Sequence, residues 1–350
     1  MKIEKFQTDR LPHRAGQQLR LYIVVPCFNE EEVLPETAKR LTEIMVRLVQ
    51  DGQVSPESRI CFVDDGSRDE TWQLIEHQSQ ANEYVTGVKL SRNQGHQNAL
   101  LAGLFTVDAD AVISVDADLQ DDISVIPDML AQHIGGAEVV YGVRQDRSSD
   151  SVFKRTTADT FYRLFRLLGA ESIPNHADFR LMSRNAVDAL KEFREVNLFL
   201  RGIVPLVGFR SSIVYYSRAE RFAGVSKYPL RRMLALAFDA LTSFTVVPLR
   251  IISLLGFIVF GLSAVMGLWA LGTKMLTDLA VPGWTSTILP IYLLGGVQLL
   301  CVGVIGEYLG KIYQETKGRP RYIIEKTVGS ANRTARTKRT YSPVSWSGRA

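Results

Sequence analysis

Over roughly its first 215 residues the chain alternates short apolar runs with longer stretches whose apolar residues recur at helical spacing. This alternation predicts an α/β domain with a mostly parallel sheet, because parallel strands are joined by crossover helices that cover the sheet. Leu21–Val25, Arg59–Val63, Val85–Leu90, Ala111–Val115 and Val139–Gly142 read as strands. Glu31–Gln50, Asp69–Asn82 and Gln94–Val107 read as the helices between them. Asn29 is placed to cap the first helix, and Pro35 is tolerable in its first turns.

The pattern changes in the second half. Arg231–Val247 sets Met233, Leu234, Leu236, Ala237, Leu241 and Phe244 at roughly helical spacing between basic residues and Pro248. That suits a helix lying in a membrane interface, and an ordinary packing helix has the same pattern. Then come 23 residues without a charge between Arg250 and Lys274, and 28 more between Asp278 and Glu307. About 20 apolar residues cross a bilayer, so both segments read as spans, with buried core helices as the alternative. Lys and Arg crowd both flanks: Arg218, Arg221, Lys227, Arg231, Arg232 and Arg250 before, Lys311 and the tail after. The positive-inside rule then puts both termini in the cytoplasm, with a short hairpin outside. The expected divisions are an N-terminal tail 1–20, an α/β domain 21–230, an interfacial helix 231–247, transmembrane helices 251–273 and 288–310, and a basic tail 311–350. Residues 1–20 are polar and the first apolar run is too short for a secretory signal, so the expected location is the inner (plasma) membrane with the α/β domain in the cytoplasm.

Composition adds little except at the end of the chain. With 46% hydrophobic and 22% charged residues among 350, a packed core is affordable, and the net charge of +4 is mild. From Lys317 onward, however, nine Lys and Arg face one acid, Glu325. Such a tail favours an anionic surface. It has few interleaved aromatics beyond Tyr341 and Trp346 and follows a membrane segment, so membrane lipid is the expected partner and nucleic acid is not. Cys27, Cys61 and Cys301 are odd in number and lack metal-type spacing, which argues for a reducing compartment. His96, His133 and His176 are too scattered for a zinc site. Glu307, near the end of the second span, can face a neighbouring helix or reach toward Lys311.

Candidate chemistry gathers where the strands end. Ligands of open parallel sheets bind outside the carboxyl ends of the strands. There the chain places Pro26-Cys-Phe-Asn-Glu30, Asp64-Asp-Gly-Ser67 and Asp116-Ala-Asp118. Each alone is weak, since Asp-Gly-Ser is an ordinary turn, but three in one sheet are a stronger signal. No G-x-G-x-x-G follows the first strand and no P-loop occurs, so a nucleotide diphosphate is expected to be held through Mg2+ or Mn2+ by acidic side chains. In ISVDADLQDD, four carboxylates fall within seven positions. Asp116 and Asp118 can face one cation, Gln120 can add a neutral oxygen, and Asp121 and Asp122 sit where a helix should start, at its positive end.

The segments IVVPCFNEEEVLPE, FVDDGSRDET, VKLSRNQGHQNALLAGL, VDADLQDD, DFRLMSR and RAERFAGVSKY together resemble a family 2 glycosyltransferase of GT-A fold. Within it the chain is similar to the polyisoprenyl-phosphate glycosyltransferases, the bactoprenol glucosyltransferases and dolichol-phosphate mannose synthases. The likeness covers about Leu21 to Lys326. It implies a Rossmann-like nucleotide-sugar domain followed by two membrane helices, and a hexosyltransferase moving a sugar, glucose by overall likeness, from a UDP-sugar to undecaprenyl phosphate. The same chemistry with UDP-N-acetylglucosamine or GDP-mannose is the near alternative. The lipid-linked product would serve cell-envelope glycan or lipopolysaccharide modification, and a membrane homo-oligomer is implied.

The resemblance also implies roles. Pro26, Phe28 and Glu30 would line the base pocket, with Phe28 where many relatives carry Tyr. Asp65 would hold the uridine, and Ala117 would line the nucleotide-sugar site beside Asp116. Asp116, Asp118 and Gln120 would bind metal and diphosphate. Arg144 and Arg155 would meet the acceptor phosphate, and Arg221 and Lys227 would close over the diphosphates. Asp178, beside Arg180, would sit near the reacting centre. The pair His96-Gln97 suggests nothing firm. A processive polysaccharide synthase is disfavoured because no Trp lies in a Q-x-x-R-W motif. A catalytically inactive membrane scaffold is disfavoured by the intact acidic and basic sets.

Overall fold

The computed structural model describes residues 18–144, 176–193, 200–217 and 284–329, with isolated positions between 195 and 269. β1 (Leu21–Cys27) is buried at every position. Its unbroken apolar run follows from being covered on both faces. Leu21, Ile23 and Val25 enter one core, and Tyr22 and Val24 the other. α1 (Leu34–Gln50) buries Leu34, Thr37, Ala38, Leu41, Met45 and Leu48, the stripe expected of a helix docked by one face. There follow β2 (Arg59–Asp64), α2 (Thr71–Ala81), β3 (Val85–Leu90), α3 (His96–Thr106) and β4 (Ala111–Ser114). A 3-10 turn at Ile123–Val125 leads into α4 (Ile126–Ile134) and β5 (Val139–Arg144). The remaining elements are β6 (His176–Ser183), α5 (Arg184–Lys191), α6 (Leu200–Leu206), β7 (Ser211–Tyr216), α7 (Trp284–Thr316) and β8 (Ile324–Val328).

The strands form one sheet in the order β7-β5-β6-β4-β1-β2-β3-β8. β1 is parallel to β2 and β4, β2 to β3, and β5 to β7. β6 runs antiparallel between β4 and β5, and β8 antiparallel along β3. Helices α1, α2 and α4 pack on one face and α3, α5 and α6 on the other. α3 lies very close to the strands, and Gly103 is the reason. A Cβ there would meet Val24 Cγ1 at 2.3 Å and Val63 Cγ2 at 2.8 Å.

The strands and helices expected between residues 21 and 144 are present, with shifts at their ends. α1 starts at Leu34 rather than Glu31, and Asn29 does not cap it. Asn29 instead adopts φ 54°. Its amide donates to Ser67 Oγ (3.0 Å) and its Oδ1 accepts from the Arg68 amide (2.9 Å), tying the loop after β1 to the loop after β2. Residues 324–328, inside the segment expected to be a tail, add β8 to the sheet edge. The expected segment 288–310 lies within α7, whereas 1–17, 231–247 and most of 251–273 fall outside the described residues. Among the described residues no helix is long and apolar enough to cross a membrane.

Candidate active site

Strand order reverses between β1 and β4, and crevices of open α/β sheets form at such points. The loops after these two strands, Phe28–Glu30 and Val115–Gln120, therefore flank one cleft. Thr37 of α1 holds the second loop by donating from Oγ1 to the Ala117 carbonyl at 2.8 Å. Within it Leu119 takes φ 54°, and Asp118 Oδ1 accepts from the Gln120 amide at 3.2 Å. Ala117 and Gln120 are buried, while Asp116 is partly open. Burial first, with Asp178, Asp121 and Asp118 adding to it against His96, pushes the Asp116 carboxyl up to about 6.

Among the described residues no three His, Cys, Asp or Glu side chains converge as a metal cage. A hard cation bound together with substrate phosphates needs only one or two carboxylates. Asp116 and Asp118 meet that requirement, and a cation would offset both the burial and the neighbouring carboxylates that raise Asp116.

Just past the end of β1, Phe28 is 41% exposed. Pro26 is buried within the strand and pairs with Val63. The Glu30 amide donates to Thr71 Oγ1 at 2.9 Å, which sets the height of this loop on α2. Asp65 is buried and accepts two backbone amides, Gln94 (2.7 Å) and Gly95 (2.9 Å). Burial pushes the Asp65 carboxyl above its usual range, and these two amides oppose the rise. Asp65 thus also shapes the loop that starts α3.

Asp178 lies on β6, beside β4, because β6 inserts antiparallel between β4 and β5. It pairs with the fully buried Arg180 and accepts from Arg201 of α6, Nη2 to Oδ2 at 3.1 Å. His96, the first residue of α3, points Nε2 toward Asp116 Oδ1 (3.5 Å) and Asp178 Oδ2 (3.7 Å). Both separations exceed those of a well-formed hydrogen bond, and the contacts become ion pairs when the imidazole is protonated. Burial alone would raise Asp178, but His96, Arg201 and Arg180 together hold it well below the usual carboxylate range. Burial in turn lowers His96, and Asp178 and Asp116 overcome this to raise it.

The last cluster surrounds Arg144 at the end of β5. Arg144 Nη2 donates to Asp121 Oδ1 at 3.2 Å, and its Nε donates to Tyr216 Oη, also at 3.2 Å. Tyr216 Oη itself donates to Asp121 Oδ1. Asp121 therefore does not serve a helix start. Asp122 does, accepting the Ser124 amide at 3.0 Å to cap the 3-10 turn.

The fold thus brings Asp116, Ala117, Asp118, Gln120, Asp178 and Arg144 to one edge of the sheet, where β4 and β5 end and β6 begins, with Pro26, Phe28, Glu30 and Asp65 at the neighbouring strand ends. Arg155, Arg221 and Lys227 lie outside the described residues. His96, Arg201, Asp121 and Tyr216 join the site without having been assigned to it from sequence. His96 could have been found by extending the strand-end rule to β3. Nothing in the sequence marks Arg201 or Tyr216.

A family model described as Glycosyl transferase family 2 matches residues 22–191. The Bacillus subtilis (strain 168) "Uncharacterized glycosyltransferase YkoT" is 54% identical over 307 residues, 87% of this chain and 91% of that protein. The "SfII prophage-derived bactoprenol glucosyl transferase" of Shigella flexneri is 40% identical over 311 residues, 88% of this chain and 98% of that one. Among solved structures, glucosyl-3-phosphoglycerate synthase from Mycobacterium tuberculosis, in complex with Mn2+, UDP and phosphoglyceric acid, matches 65% of this chain and 77% of its own with TM-score 0.42 and 18% identity. That likeness is too distant to bear on the chemistry. Acidic loops at the ends of a mostly parallel sheet and extended identity to named relatives lead to one assignment: the chain belongs to glycosyl transferase family 2 and is a hexosyltransferase.

Proposed function

We propose that the protein transfers glucose from UDP-glucose to a polyisoprenyl phosphate at a membrane surface, giving a β-linked lipid-phosphate sugar for the cell envelope. The observation that carries this reading is the convergence of Asp116, Asp118 and Asp178 with Arg144 at the strand ends. It is supported by the 40% identity to a protein named for glucosyl transfer to bactoprenol. A phosphate monoester has its second pKa near 6, so the acceptor is largely a dianion at neutral pH and needs no strong base. One of its oxygens attacks the sugar C1, the C1–O bond to the diphosphate breaks, and the electron pair leaves with UDP, inverting the α-linked donor.

The protein's main task is to bring two anions within bonding range. Arg144, with Arg155, offsets the acceptor charge, and Arg221 and Lys227 cover the donor diphosphate. A divalent cation, Mg2+ or Mn2+, held by Asp116 and Asp118 beside Gln120 would supply charge stabilisation for the leaving group. Phe28 stacks on the uracil, with Pro26, Glu30 and Asp65 around it and Ala117 beside the sugar-phosphate. Asp178 is too weak a base to take a proton at neutral pH, and its role is to keep a fixed negative charge near C1 and to orient His96 and Arg201.

Membrane attachment belongs to the same proposal, with spans over 251–273 and 288–310 and both termini cytoplasmic. It is supported by the uncharged lengths in the sequence and by exposed apolar side chains along α7, among them Ile291, Val302, Ile305 and Leu309. Assembly as a homo-oligomer rests on the family resemblance alone. The test incubates purified protein with undecaprenyl phosphate and radiolabelled UDP-glucose, UDP-N-acetylglucosamine or GDP-mannose. Organic-extractable label from UDP-glucose is expected. Label from another donor reassigns the sugar, and none from any donor overturns the acceptor.

A further inference from the structure

We infer that Asp121 and Tyr216 are positioning residues that aim the Arg144 guanidinium at the acceptor phosphate. The inference rests on the acceptor reading of Arg144 given above. β5 and β7 pair in parallel with Arg144 directly opposite Tyr216, so the two side chains leave the sheet at the same level. The Tyr216 ring is 2% exposed and packs edge-on against Phe179 of β6, with ring centroids 5.5 Å apart. Phe179 is the neighbour in sequence of Asp178, and Asp121 follows Gln120 directly. The three-membered cluster therefore ties the acceptor arginine to both acidic segments of the site.

Its hydrogen bonding is closed and directional. The Tyr216 hydroxyl accepts from Arg144 Nε and donates to Asp121 Oδ1, which also accepts from Arg144 Nη2. Two of the three guanidinium nitrogens are thereby held, and Nη1 carries neither bond. An arginine side chain free in water loses much rotamer entropy on binding an anion. One already clamped on two nitrogens has lost it beforehand. Asp121 is 3% exposed, and its Oδ2 has no hydrogen-bond partner among the described residues. A buried carboxylate left partly unsatisfied is costly, so a cluster serving stability alone is a poor use of this position.

The experiment measures the apparent KM for undecaprenyl phosphate, kcat, and calorimetric UDP affinity in R144A, Y216F, D121N and the double variant Y216F/R144A, each checked by thermal unfolding. Y216F keeps the buried ring and removes only the hydroxyl, so it remains informative if D121N folds poorly. The expected result is a KM for lipid phosphate raised about three- to tenfold in Y216F, the worth of one hydrogen bond, with UDP affinity unchanged. In the double variant the lipid KM should equal that of R144A, because Tyr216 acts only through Arg144. A structural role would lower the unfolding temperature and leave that KM and its non-additivity untouched. R144A with unchanged lipid KM overturns the acceptor assignment and this inference with it. R144A with raised KM beside a Y216F indistinguishable from wild type, or additive effects in the double variant, overturns the positioning role alone.

Discussion

Asp118 and Asp178 are both acids at the mouth of one cleft, yet the structure gives them different tasks. Asp118 spends one oxygen on the Gln120 amide and stands in the loop proposed to hold the cation. Asp118→Asn keeps the shape and the capacity to accept that hydrogen bond but removes the charge. Transfer should fall at least about a hundredfold, the scale of losing a key electrostatic group, with unchanged thermal unfolding. Turnover retained in saturating Mg2+ or Mn2+ would sink the metal role. Asp178, by contrast, neutralises Arg180, which is fully buried. Breaking a buried pair leaves an uncompensated charge, so Asp178→Asn should cost about 3–5 kcal/mol in urea titration at pH 7. Because the folded carboxyl is held below its usual value, its contribution is complete above roughly pH 4 and fades as pH falls through the lower folded value. Wild type and variant should therefore converge only in strong acid. A loss under about 1 kcal/mol, the range of exposed pairs, would show that the pair is not buried as described.

At the scale of elements, apolar patterning located β1 to β5 and α1 to α3 to within a few residues, because each is a continuous run or a helical stripe whose burial is a local property. What patterning could not show is how near the layers approach. Gly103 looks like an indifferent residue within a helix of small residues. The structure makes it the contact point between α3 and strands β1 and β2. Gly103→Ala should gain helix propensity and still destabilise by about 1–3 kcal/mol through overpacking. A lower urea midpoint at unchanged m-value is the expected signature. An unchanged or higher midpoint would mean that the layers separate freely. Since the Gln94 and Gly95 amides that donate to Asp65 lie directly before α3, activity should fall in the same variant.

For the whole molecule, the C-terminal segment is the main difference between expectation and structure. It was expected to be a basic tail, and its first part instead completes the sheet. β8 pairs with β3 from Gly87 to Leu90. Lys326 pairs with Glu76 of α2, and Glu325 with Lys89 at 3.7 Å. A chain ending at Gly318 should lose several degrees of unfolding temperature, in line with a few hydrogen bonds and ion pairs in a domain of this size. An unchanged temperature would mean that β8 contributes no stability to the sheet. In the proposed topology, a tag on Ala350 should resist protease added to intact spheroplasts, and external cleavage would overturn a cytoplasmic nucleotide-sugar site.

The sequence by itself determined the class of the domain, the strand-end acids Asp65, Asp116 and Asp118, and the family, because periodicity and short motifs are written in contiguous residues. Only the tertiary structure decided that Asp178 lies beside β4, that Asp121 serves Arg144 rather than a helix end, and that His96, Arg201 and Tyr216 belong to the site. Each of these depends on strands and helices distant in sequence becoming neighbours: β6 inserted against β4, β7 against β5, and α3 pressed onto the sheet by a missing Cβ. Such pairings are set by the packing of the whole sheet, and no local stretch of sequence carries them.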